Sequence, residues 1–308
     1  MKATGWLTLL LLNVTPLIAQ EKIQVVTKTI ERSFSLGAGE ALLVQAEKAE
    51  VRVSGWDREE VKLTLRLIAK HPERSVAEKD LPSLRYEIDA EGTQKTIRNF
   101  FRISEGSGGM NSNLHAQYDL WVPQRCLLQL KNRYGNIEIT KLDADLRLAL
   151  EFGEVRLNKV KGAVALDVAY SDVVAEQVNA NVTGVAKKSN LNFNELAGIL
   201  SLESSYGEIT VTTPDALESL FIQASRTEVV FATTDPMRYH YQLATSYDQI
   251  KTTLPGTWQN GGLLGQERSF KSTDSTLPKV FINTSFSPIT IKPLTHEAFI
   301  PRTSSKQP

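Results

Sequence analysis

Asn136, Glu154, Asp172, Asn190 and Glu208 recur at one position of a repeating aromatic–small–polar triplet. Were a fold to stack them, neighbouring carboxylates could bind a cation or sugar hydroxyls, or serve as the acid and base of a polysaccharide-degrading enzyme. A solvated turn uses the same residue types, because a short polar side chain bonds its own backbone there. No Lys or Arg column accompanies the carboxylates as a catalytic partner would, so a turn is the expectation. Two residues earlier stand Tyr134, Phe152, Tyr170 and Tyr206. Strand alternation points these rings inward, which predicts a core stack rather than a glycan platform. His71, His115, His240 and His296 lack the i, i+2 spacing that brings two strand residues together as metal ligands, and read as surface or internally satisfied residues. There is no GxSxG, and Gly261-Gly262 precedes no helical pattern that would cradle a phosphate. The lone Cys126 excludes an internal disulfide and any CxxC site. The expectation is therefore no catalytic residue, no metal site and no cofactor, with the ligand-binding residues unknown.

The elements that must position these side chains are set by a repeat. Tyr134-Gly135-Asn136, Phe152-Gly153-Glu154 and Tyr170-Ser171-Asp172 lie 18 residues apart, and Tyr206-Gly207-Glu208 follows after twice that interval. Lys188-Ser189-Asn190 fills the gap, and Ala224-Ser225 continues the series more weakly. A fixed period of this kind is the signature of a solenoid. Apolar columns accompany it: Leu128, Leu146, Val164, Val182 and Leu200 before the aromatic, and Ile137, Val155, Val173, Leu191 and Ile209 after it. Period-two alternation marks strands, and its phase slips by one after the aromatic and again before Leu142, Val160, Val178 and Leu196. Each slip is a corner, the first expected at the small residues Gly135, Gly153, Ser171, Ser189 and Gly207. An aliphatic every six residues, the mark of a hexapeptide β-helix, is absent: Asp143, Lys161, Asn179, Ala197 and Asp215 occupy that column.

The flanks read differently. Residues 1–20, with one Lys, an apolar core and Ala19 near the end, have the form of a cleaved secretory signal, and no Cys follows that core as a lipoprotein would need. No later segment reads as a membrane span. Residues 21–113 are an irregular β region, either the start or a cap of the solenoid, in which Ala49–Trp56 and Val61–Leu67 form two strands around a turn. Residues 114–293 are the solenoid, with closing strands near Tyr239–Leu243 and Val280–Ile291 and a long loop over Pro255–Pro278. Residues 294–308 read as a disordered tail. The chain has 35 Lys and Arg against 35 Asp and Glu, without the basic excess that a nucleic-acid binder needs.

Val51-Arg52-Val53-Ser54-Gly55-Trp56-Asp57, a strand closing in Val122-Pro123 and the repeated Tyr/Phe-Gly-acid-Ile/Val units resemble a family of exported bacterial domains of unknown function termed "putative adhesin". The resemblance covers residues 25 to 292 and departs at Lys188 and Ala224, where the aromatic is lost. It implies an all-β, right-handed parallel β-helix with about 18 residues per coil. It also implies an exported adhesin or envelope scaffold, periplasmic or at the cell surface, whose partner is an envelope protein or a glycan. A carbohydrate-active β-helix enzyme and an accessory sensor of an envelope signalling system are the alternatives.

Overall fold

The computed structural model describes residues 22–37, 39–102, 109–214, 216–263 and 265–294. The expected signal segment, and the expected tail beyond Leu294, lie outside the described residues. Strands β1 (Gln24–Ser35), β2 (Ala41–Glu47), β3 (Ala49–Trp56) and β4 (Glu60–His71) precede a short helix α1 (Arg74–Asp80). β5 (Leu84–Asp89), β6 (Gln94–Phe101) and β7 (Asn113–Pro123) complete the N-terminal part. The periodic part holds β8 (Leu127–Arg133), β9 (Ile137–Thr140), β10 (Leu146–Asn158), β11 (Lys161–Glu176), β12 (Asn179–Asn194), β13 (Ala197–Thr213) and β14 (Leu217–Thr233). It is followed by β15 (His240–Ser246), β16 (Ile250–Lys251), β17 (Thr257–Gly261), β18 (Glu267–Lys271), β19 (Lys279–Ser285) and β20 (Ile289–Pro293). All belong to one mixed 20-stranded sheet, which stays open.

The all-β expectation is met, and the 18-residue period is the pairing register itself. β10 lies parallel to β11 with Leu146 opposite Val164 and Leu157 opposite Ala175. The same offset joins β8 and β9 to β10, β11 to β12, and β12 to β13. Equivalent residues therefore stack about 4.8 Å apart. The expected aliphatic columns are buried throughout, as are Leu142, Val160, Val178 and Leu196. Each such Leu, Ile or Val contributes roughly 1.5–3 kcal/mol before ordering entropy is subtracted.

The corners differ from expectation. The left-handed residue of the first corner is the aromatic, not the small residue after it: φ is 67° at Tyr134, 64° at Phe152, 53° at Tyr170 and 61° at Tyr206. Lys188 (φ 51°) keeps the position. The second corner turns at Lys141, Lys159, Gln177 and Glu195, also left-handed. Among the five small residues of the first corner only Gly135 has positive φ; the column is small because space is short. A Cβ on Gly153 would stand 2.1 Å from the Gly135 carbonyl oxygen, and one on Gly207 2.0 Å from that of Ser189. Where two serines meet, the backbone ladder opens between Ala169 and Val173, and the Ser171 amide donates to Ser189 Oγ at 3.1 Å instead.

The series also continues differently past β13. Gly207 pairs with Thr227, so Arg226 (φ 50°), not Ala224, takes the aromatic's place, 20 residues after Tyr206. The register shift between Gly198 and Ile199 absorbs part of the extra length.

Both ends are interleaved. β2 and β3 stack on β8 and β9, with Ala41 opposite Leu127 and Val51 opposite Ile137. β6 and β7 lie on their other side. The sequence pairs β3 with β4 around a turn; the structure inserts β7 between them, parallel to β3 and antiparallel to β4. β1 then covers β4, and β5 covers β6. At the other end β19 and β20 return to sit between β14 and the pair β15–β16. The expected loop over 255–278 instead contains β17 and β18, an antiparallel hairpin whose second strand covers β15.

Asp80 ties the N-terminal end together. It is buried and accepts hydrogen bonds from the amides of Asn111 (2.9 Å) and Ser112 (2.8 Å). Burial pushes its carboxyl up, but the amide hydrogen bonds of Ser112 and Asn111 outweigh burial and hold it below the ordinary value of 3.8. A depressed carboxyl stabilises the folded chain above the unfolded value, and that contribution is lost as pH falls through the folded one. Asp80→Ala, which leaves two amides unpaired, is expected to cost about 1–3 kcal/mol at pH 7. Urea titrations of both proteins at pH 7 and pH 3 check it: the gap should narrow in acid, and an equal gap at both would remove the carboxylate from the account.

Candidate functional site

The left-handed corner turns the aromatics outward. A residue with positive φ reverses strand alternation at itself, so the inward position passes to the small residue after it. Tyr134, Phe152, Tyr170 and Tyr206 are accordingly exposed, Tyr206 at 49%, and the expected core stack is an external one. Tyr134 and Phe152 stack at 5.0 Å with planes 8° apart, and Phe152 and Tyr170 at 4.9 Å and 15°. Lys188 continues the ladder with Nζ 4.9 Å from the Tyr170 ring centroid. The Arg226 guanidinium lies between Tyr206 (5.3 Å) and Phe286 (4.9 Å), and Phe286 stacks on Tyr247 at 4.8 Å. At the other end Lys48 Nζ lies 5.7 Å over Phe101. Lys48, Arg226, Tyr247 and Phe286 escaped the sequence reading because their spacings break the period, although Phe286-Ser287 repeats the aromatic–small step.

A left-handed non-glycine residue costs about 1–2 kcal/mol, and each aromatic contact returns about 0.5–1.5 kcal/mol. Phe152, with two neighbours, offsets its own corner. In the run from Tyr134 to Tyr170 the ring faces lie against neighbouring rings and chiefly the edges meet solvent. Sugars stack on faces, so this run is poorly suited to a glycan.

The carboxylate column also spends its groups on itself. Asn136 Oδ1 accepts from the Glu154 amide at 3.0 Å, Asn190 Nδ2 donates to Asp172 Oδ1 at 3.0 Å, and Thr210 Oγ1 donates to Glu208 Oε1 at 3.2 Å. Arg156 pairs with Glu154, and Arg52 lies 3.7 Å from both Asp119 and Glu138. Basic residues absent from the expected pattern thus do stand beside one end of the column, as ion-pair partners on an exposed surface. Among the described residues no group of three or more His, Cys, Asp or Glu could hold a metal ion.

The histidines are dispersed. His71 is half-buried near the end of β4, with Nδ1 accepting from the Glu73 amide at 3.0 Å. His115 is half-buried in β7, and burial, with Lys70 and Lys48, lowers its pKa. His296 lies outside the described residues. His240 is buried, with Nδ1 3.2 Å from Ser272 Oγ and Nε2 3.3 Å from the Gln242 amide nitrogen. Ser272 Oγ also accepts from the Tyr241 amide at 2.9 Å, and Asp274 is held by Thr276. The Ser272–His240 contact therefore ties two chain segments together and lacks an acid bonded to the ring. Cys126 is buried and its thiol is pushed up to about 12 by burial, the reverse of an activated nucleophile.

No protein-family model and no curated protein matches the sequence. Among solved structures the chain is similar to one described as "putative lipid binding protein" from Parabacteroides distasonis ATCC 8503. The identity is 11% over 87% of this chain and 97% of that one, with a TM-score of 0.46. A "putative adhesin" from Bacteroides fragilis NCTC 9343 matches at 11% identity over the same shares, with a TM-score of 0.33. A "putative cell adhesion protein" from Clostridium sporogenes ATCC 15579 matches at 12% over 87% of this chain and 100% of that one, with a TM-score of 0.28. Superpositions this loose say nothing about what this chain binds.

The ladder makes a specific demand on Phe152. Phe152→Ala removes two ring contacts and keeps the left-handed strain, so it should destabilise by about 1–3 kcal/mol. Phe152→Gly loses the same contacts but relaxes the backbone, and should cost less. Urea denaturation of the two variants decides it; an alanine variant more stable than the glycine one would mean that the corner carries no strain.

Proposed function

We propose that this protein is a non-catalytic binding scaffold of the adhesin type, its repeat units wound as a right-handed parallel β-helix of about 18 residues per coil. We place it outside the cytoplasm of a bacterium, in the periplasm or at the cell surface, with an envelope protein or a glycan as its partner. The observation that supports binding over chemistry is the self-pairing of the carboxylate column. Glycoside cleavage needs two carboxyl groups facing one bond across a site that holds the sugar. Here Glu154 is engaged by Arg156, and Asp172 and Glu208 accept from their own neighbours on an exposed sheet face. A rigid surface of regularly spaced side chains suits recognition by many small contacts.

Incubation with acidic and neutral polysaccharides, followed by reducing-end assay, tests the catalytic alternative. The expected result is no product from the native chain, Asp172→Ala or Glu208→Ala. Turnover by the native chain that either substitution abolishes would replace the scaffold with a carbohydrate-active enzyme. Cross-linking in envelope fractions then distinguishes a scaffold, which captures one defined surface partner or glycan, from a sensor, which captures signalling components.

A further inference from the structure

The outer face of the strands that precede the ladder changes character along the stack. In the position just before each ladder residue, β2, β8 and β10 carry Glu47, Arg133 and Glu151, the last two ion-paired at 3.1 Å. From β13 onward the same position holds Ser205, Ser225, Ser285 and Ser246, all half-buried and in register across β13, β14, β19 and β15. These serines form the floor of a surface groove of about 510 Å³. It continues past Ser246 and Asn283 into a second depression of about 390 Å³ against the β17–β18 hairpin, where Gln259 and Asn260 stand.

Three features of the groove converge on one ligand chemistry. First, the row beside the serines presents Gln223 and Asn283 on adjacent strands, exposed and, among the described residues, without a side-chain hydrogen bond. On the opposite face Asn136, Asp172, Asn190 and Glu208 are instead engaged by neighbouring residues. An amide offers a donor and an acceptor together, the pair that a sugar hydroxyl accepts and donates to in turn. Second, the groove is flanked by aromatic side chains: Phe221 stacked on Phe281 at 4.8 Å on one side, and the ladder residues Tyr206, Phe286 and Tyr247 on the other. Phe221 is 39% exposed, and its neighbour on the side away from Phe281 is the small Ser201, which leaves that ring face uncovered. Third, the charges lining the groove balance, Lys187 and Arg268 against Glu203 and Glu267, and the flanking Arg226 guanidinium is held between the Tyr206 and Phe286 rings, so the lining itself carries no net charge that would select an anion or a cation. The surface also lacks the contiguous apolar centre that a protein partner would require.

We propose that this serine-floored groove, running across β12, β13, β14, β19, β15, β18 and β17, binds an uncharged oligosaccharide chain laid along the stack. Gln223 and Asn283 take its hydroxyls and the Phe221 ring takes a sugar face. The site rests on the non-catalytic reading above and names its ligand class. Seven strands at about 4.8 Å give a track of roughly 29 Å, long enough for several sugar units in series.

Calorimetry of the full chain with cellohexaose, xylohexaose, mannohexaose and chitohexaose, and with hexagalacturonate as the anionic comparison, tests this. At least one neutral hexasaccharide should bind with an affinity unchanged between 50 and 500 mM NaCl. The double substitution Gln223→Ala/Asn283→Ala should weaken it about tenfold or more, through the loss of two hydrogen-bonding side chains. Phe221→Ala should weaken it as well. Ser205→Arg, which fills the floor, should abolish it, whereas Asn192→Ala on the other face should leave it unchanged; melting curves confirm that each variant is folded. Absence of binding by all four neutral chains, binding of hexagalacturonate alone, or equal loss in Asn192→Ala overturns the site while leaving the scaffold reading to cross-linking. Shortening of a bound hexasaccharide would instead overturn the non-catalytic reading.

Discussion

Each repeat unit from Tyr134 to Arg226 turns at a large side chain held in a left-handed backbone conformation, and the rest of the molecule depends on that corner being tolerable. Glycine or asparagine would relieve the backbone, but neither supplies a flat surface for the next unit to rest on. Tyr134, Phe152 and Tyr170 do so, with ring planes 8° and 15° apart, and Lys188 and Arg226 extend the series through their cations. Local strain and the contact that offsets it have similar magnitudes. The corner is therefore stable only when its neighbours are present, and the stack behaves as one cooperative object rather than a string of independent turns.

The same logic governs the ends. A sheet of parallel units terminates in unpaired backbone, which invites association with other chains. Here the terminal units are closed by segments that return from elsewhere in the chain: β7 enters between β3 and β4, and β19 enters between β14 and β15. Asn99 reinforces one such return, its side chain bonding both the amide and the carbonyl of Glu47 and accepting from the Tyr118 hydroxyl at 2.8 Å. Such pairings join segments far apart in the chain and carry a loop-closure cost that slows folding. The two sheet faces consequently differ in role. One carries ion pairs and side-chain amide bonds between neighbouring strands; the other, toward the C-terminal end, leaves the Gln223 and Asn283 amides exposed to solvent.

Much of this was legible without coordinates. The interval between Phe152 and Tyr170 is the pairing register, and the columns through Leu146 and Val155 are buried as their alternation requires. The orientation of the aromatics was not legible, because counting parity assumes extended backbone at every residue, and one left-handed residue reverses the count. The continuation of the ladder was hidden for a related reason: Arg226 follows a unit lengthened to 20 residues, and Phe286 and Tyr247 occupy adjacent rungs in the reverse of their sequence order. The groove escaped because its floor joins Ser225 to Ser285, Oγ to Oγ at 3.0 Å across 60 residues, through a pairing that no local pattern encodes.

By itself the amino-acid sequence determined the strand content, the eighteen-residue spacing and which aliphatic side chains are interior. Those follow from local alternation and from identical neighbours needing identical partners. Tertiary structure alone decided which way the corner residues face, how distant segments interleave at the two ends, and which polar side chains remain unpaired. These outcomes depend on which single residue at each corner adopts the left-handed conformation and on contacts between segments far apart in the chain, and side-chain alternation encodes neither.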